Sequence, residues 1–82
     1  MREDGALDAL HRLVAEAMDV PAASLTDDSS PETVATWDSA AGMSLIVLLE
    51  ETYGIFFETE EIGRLTSVGA IRQVLRGKGI AL

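Results

Sequence analysis

Residues 36–54 read TWDSAAGMSLIVLLEETYG and join a hydroxyl side chain to the most apolar segment of the chain. Asp38 and Ser39 stand just ahead of a helical pattern running to Tyr53, which Gly54 closes because glycine takes the left-handed conformation that ends helices. Leu45, Ile46, Leu49 and Tyr53 share one stripe of that helix and make its core face. Ala40, Met43 and Val47 share a second stripe, running from Ser39 down to Glu50 and Glu51. With the first stripe buried, the second is left at least partly exposed. Ser39 then sits at a helix N-terminus, where unpaired N–H groups and the helix dipole favour negative charge and suit a phosphate ester.

Upstream, Leu7, Leu10, Leu13, Val14, Ala17 and Met18 recur at helical spacing, with Asp8, His11, Arg12 and Glu16 on other sides. Residues 5–18 therefore read as an amphipathic first helix with Asp4 as its N-cap, ended near Asp19 because Pro21 cannot continue it. Residues 21–37 are small, polar or turn-forming and read as one long loop with a short helical turn at 21–24, pinned by Val20, Leu25, Val34 and Trp37. Downstream, Ile55 and Phe57 should face inward and Phe56 outward. Thr59 caps a short third helix, with Glu60 and Glu61 in its first turn and Ile62 and Leu65 pointing inward. Thr66 or Ser67 caps a fourth, which carries Val68, Ile71, Val74 and Leu75 on one side. Arg72, Arg76 and Lys78 fall near its C-terminus, and Gly77 and Gly79 end it. The fold class is all-α: a bundle of three main helices and one short helix, with a long loop between the first two. Its expected core is Leu10, Val14, Leu45, Leu49, Phe57, Leu65, Val68 and Ile71. No linker or repeat interrupts the pattern, so residues 1–82 read as a single domain.

The net charge is −8, and no Lys or Arg falls between Arg12 and Arg64, an interval that holds every carboxylate from Glu16 to Glu61. Such a field repels nucleic-acid phosphates and steers basic partners. Cysteine is absent, which excludes disulfides and thiolate chemistry of the chain's own. No apolar run approaches the roughly 20 residues that span a bilayer, and Met1-Arg2-Glu3-Asp4 is too acidic for a signal peptide, so a cytoplasmic protein with no membrane partner is expected. Catalysis has little to work with. The lone histidine, His11, reads as a surface bystander with nothing to orient it, and Asp38 beside Ser39 reads as a helix cap. An EF-hand loop starting at Asp27 would need glycine and glutamate where the chain has Glu32 and Asp38, so no metal site is expected and no enzyme.

An Asp-Ser pair opening a helix, then Met43, Leu45, Ile46, Leu49, Glu50, Glu51 and Tyr53, resembles the acyl carrier proteins. The resemblance continues without gaps through Gly54-Ile55-Phe56-Phe57, the acidic turn from Glu58 to Glu61, and Thr66-Ser67-Val68, and is most specific from Trp37 to Val68. It implies that Ser39, beside Asp38, carries a 4′-phosphopantetheine arm installed by a phosphopantetheinyl transferase. It also implies that the arm's thiol holds acyl groups as thioesters for loading and processing enzymes with basic docking patches. Ala40, Met43 and Val47 with Glu50 and Glu51 would be the docking ridge, and Phe56 a further contact. Apolar cargo would enter between the helices near Leu45, Leu49, Phe57, Ile62, Leu65 and Ile71.

The chain departs from the carriers of fatty-acid synthesis, which show an aromatic residue and a Leu-Gly pair ahead of the Asp-Ser. It has Pro31, Ala35, Thr36 and Trp37 there, Ala40 where leucine is usual, and Ala41 and Ser44 where some members are acidic. A dedicated fatty-acid-like, polyketide or other secondary-metabolite pathway is expected. The start at Met1 and the lack of a linker suggest a discrete, monomeric carrier. Two alternatives stay open: a peptidyl or aminoacyl carrier, and an acidic helical interaction module without an arm.

Overall fold

The computed structural model describes residues 9–81; the expected start of the first helix, with Asp4 as cap and Leu7 on its stripe, lies outside them. Helix α1 (Ala9–Met18) closes at Asp19, whose φ of 59° is the left-handed geometry that aspartate tolerates better than most residues. A single 3₁₀ turn (Ala22–Ser24) follows, then α2 (Ser39–Tyr53), the four-residue α3 (Thr59–Ile62) and α4 (Val68–Gly77). No strand forms among the described residues. The boundaries of α2 follow from its flanks: the Asp38 carboxylate accepts the Ala41 N–H, and Gly54, at φ 65°, donates its N–H to the Glu50 carbonyl.

Leu10, Val14 and Met18 of α1 meet Leu45 and Leu49 of α2 and Val68, Ile71 and Leu75 of α4 in one core, which Leu25, Trp37 and Phe57 complete from the connections. Each fully buried Leu, Ile or Phe contributes about 1.5–3 kcal/mol relative to exposure. Of the residues expected there, only Leu65 is half-buried, packed against the cluster's edge. Phe56 and Phe57 alternate as expected, Phe57 buried and Phe56 69% exposed.

The long loop is fastened by Asp27. Its carboxylate accepts two hydrogen bonds from Arg72, from Nε at 3.1 Å and from Nη2 at 3.0 Å, and its Oδ1 lies 3.3 Å from His11 Nε2. The loop backbone continues the joint: the Gly69 N–H donates to the Asp27 carbonyl at 2.8 Å and the Val68 N–H to that of Ser29 at 3.0 Å. The backbones approach so closely that a Cβ on Gly69 would lie 3.1 Å from the Asp27 carbonyl oxygen. Two expectations are corrected here. His11 is buried against Asp27 and is no surface bystander, and Arg72 is a buried cation in mid-helix, held by a bidentate carboxylate instead of the helix end.

Helix α3 is capped one residue earlier than expected, at Glu58 in place of Thr59, because the Glu61 carboxylate reaches back to accept the Glu58 N–H at 2.8 Å. Lys78 holds the same segment from the end of α4. Its ammonium donates to Glu61 Oε1 and to the Phe56 carbonyl, each at 2.9 Å, and lies 5.7 Å from the Phe57 ring centroid. Ile62, expected to point inward, is 37% exposed, since a helix of one turn carries only part of its apolar face onto the bundle.

Candidate attachment and docking site

The start of α2 is shaped by three consecutive residues. Trp37 is buried and donates its backbone N–H to the Val34 carbonyl at 3.0 Å, which fixes how the chain enters the helix. Asp38, with extended backbone, is the N-cap; its side chain takes the Ala41 N–H at 2.9 Å and its carbonyl takes the Gly42 N–H at 2.8 Å. Ser39 is the first helical residue. It is exposed, and its hydroxyl makes no hydrogen bond among the described residues because Asp38 already does the capping. The result is an unengaged hydroxyl beside free helix N–H groups, a setting that stabilises a phosphate ester.

The second stripe of α2 leads away from that hydroxyl. Ala40 is exposed, Met43 is 59% and Val47 49% exposed, and Met43, Ser44, Val47, Leu48 and Glu51 surround a shallow depression. The two acidic residues at its end differ. Glu51 is exposed, whereas Glu50 is half-buried and its Oε2 accepts the Phe57 N–H at 3.0 Å. Glu50 thus braces the chain leaving α2, through its side chain and through its carbonyl, which also accepts the Ile55 N–H at 3.2 Å.

Ser39 also borders a groove of about 290 Å³ between α2 and the α3 segment, lined by Trp37, Gly42, Met43, Leu45, Ile46, Ile62 and Leu65. Of the expected cavity residues, Leu45, Ile62 and Leu65 line this groove, while Leu49, Phe57 and Ile71 are sealed in the core. Gly42 and Ile46 were not anticipated as lining residues, although they lie one and two helical turns from Ser39, a spacing that places them on its side of α2. Glu61, on the α3 segment, is held below the ordinary carboxylate range, first by the Glu58 N–H it accepts and then by Lys78.

The arrangement offers a hydroxyl for modification, an apolar ridge ending in Glu51, and a groove that begins at the hydroxyl. Among the described residues, no three His, Cys, Asp or Glu side chains cluster to hold a metal ion, and no helix is long and apolar enough to cross a membrane.

Neither a scan of protein-family models nor a search of curated proteins returns a match. Among solved structures, the chain is similar to the solution structure of a holo acyl carrier protein from Geobacter metallireducens, at 30% sequence identity and a TM-score of 0.71. The similarity covers 96% of this chain and 97% of that one.

Proposed function

The chain belongs to the acyl carrier protein family, and from that membership we propose that Ser39 carries 4′-phosphopantetheine and that the protein presents arm-bound acyl groups to partner enzymes. The observation that carries this reading is the exposed Ser39 hydroxyl, left unengaged at the first position of α2 because Asp38 supplies the cap. Once attached, the group supplies a thiol that holds acyl chains as thioesters, which the cysteine-free chain lacks. The chain's own part is to expose the hydroxyl on a rigid helix, favour the attached phosphodiester through the free N–H groups there, and offer a surface that enzymes grip. That surface is Ala40, Met43 and Val47, flanked by Asp38 and Glu51; Glu50 adds charge but is also occupied in bracing Phe57.

An acidic, partly apolar ridge suits basic partners, namely a phosphopantetheinyl transferase and acyl-loading and acyl-processing enzymes. The small residues Ala40, Ala41 and Ser44 along α2 support a dedicated partner set, in a fatty-acid-like, polyketide or other secondary-metabolite pathway. The test is transfer of a labelled arm from fluorescent coenzyme A by a broad-specificity transferase with Mg²⁺. The label is expected on the protein and not on Ser39→Ala. A folded wild-type protein that stays unlabelled with several transferases would point instead to an acidic interaction module.

A further inference from the structure

Trp37 is only 6% exposed, yet its indole N–H has no hydrogen-bond partner among the described residues. The indole nitrogen is not itself sealed from solvent, because Trp37 lines an open groove, so water meets the N–H until a group that occupies the groove displaces it. The position of the N–H says which group. The indole Nε1 lies 3.8 Å from where a Cβ on Gly42 would sit, and Gly42 is one helical turn beyond Ser39 on the same side of α2. Trp37, Ser39 and Gly42 line the same groove, whose other walls include Met43, Ile62 and Leu65. A side chain at position 42 would meet the indole N–H inside that groove, and glycine leaves the space open.

We infer that Trp37 is a positioning residue for the arm: its indole N–H donates a hydrogen bond to an oxygen in the serine-proximal half of the phosphopantetheine, which lies over Gly42. The inference rests on the reading that Ser39 carries the arm. The chemistry of that half matches the groove. It offers acceptors in its phosphate, hydroxyl and first amide carbonyl, and a geminal pair of methyl groups that the apolar walls can cover. The arm therefore leaves the helix start along α2 and rests against the bundle until a partner enzyme displaces it.

Trp37 is the chain's only tryptophan, so its indole resonance is unambiguous in a ¹⁵N-labelled protein. Spectra are compared before and after transferase treatment, with intact mass establishing first that the arm is on. Loading is expected to shift the indole N–H resonance, to slow its exchange with water about tenfold, and to produce contacts between the indole proton and the arm's methyl groups. Trp37→Phe should still accept the arm but leave its methyl resonances where they lie in free coenzyme A. Gly42→Leu, which keeps the indole and fills the groove floor, should accept the arm with no response at the indole. A protein that gains the full mass while the indole resonance and its exchange stay unchanged overturns the inference alone. A protein that gains no mass overturns the reading of Ser39 together with it.

Discussion

Helices α2 and α4 both begin at a serine, and the two serines are put to opposite uses. At α4, Ser67 is itself the cap: its backbone is extended, its side chain is half-buried, and its hydroxyl accepts the Ala70 N–H at 3.0 Å. The long loop then closes the rest of that helix start, with the Ser29 and Asp27 carbonyls accepting the N–H groups of Val68 and Gly69. At α2 the cap is Asp38, one residue earlier, and the N–H groups of Ser39 and Ala40 meet no acceptor among the described residues. A shift of one position relative to the cap separates a serine that holds structure from one that offers its hydroxyl. One helix start is closed by the chain; the other is left open to an incoming anion.

Both starts hang on the same core, so the largest effect comes from removing what they share. Leu49→Ala, at a fully buried position of α2, should lose about 2–5 kcal/mol in denaturant unfolding; a variant as stable as the parent would break the common frame. Next comes the closure of α4. Asp27→Ala leaves the buried Arg72 without its carboxylate and should cost about 1–3 kcal/mol, with amide exchange accelerating first near Val68 and Gly69. The contrast between the serines is sharpest one level down. Ser67→Ala removes a cap and should cost about 1 kcal/mol, whereas Ser39→Ala should change stability by no more than about 0.5 kcal/mol. Thermal unfolding of the pair in which Ser39→Ala is the more damaging would invert the comparison.

The smallest effect concerns the segment between the two helices. Glu61 should titrate below its ordinary value of 4.5, and Lys78→Met should raise its midpoint without restoring it fully, since the Glu58 N–H remains. Because the folded-state value is depressed, this carboxylate's stabilising contribution is fully present above the ordinary value and fades as pH falls through the folded one. Side-chain NMR titration of Glu61 in both proteins checks the order.

Much of this was legible in the chain because the signals are local. Asp38 and Gly54 bracket α2, and the spacing of its apolar residues separates the buried stripe from the Met43–Val47 ridge. The start of α4 was legible only to within a residue, since Thr66 and Ser67 cap equally well until the Ala70 N–H selects one. The joint of His11, Asp27 and Arg72 was not legible, because its carboxylate and guanidinium lie 45 positions apart and no periodicity links them. The bracing role of Glu50 was not legible for a related reason: the chain turns back after Gly54 and brings the Phe57 N–H onto its carboxylate. Trp37 read as a loop anchor, which it is; that its N–H also borders the groove depends on the missing side chain at Gly42, and a mid-helix glycine announces only a cost in helix propensity.

The most direct test of the account asks where the arm goes when both helix starts are offered to the same transferase. The protein is incubated with a broad-specificity phosphopantetheinyl transferase, Mg²⁺ and coenzyme A, digested, and its peptides mapped by tandem mass spectrometry. One phosphopantetheine per chain is expected, all of it on the peptide containing Ser39, and none on the peptide containing Ser67. Modification at Ser67, or modification that persists in a folded Ser39→Ala protein, would contradict it.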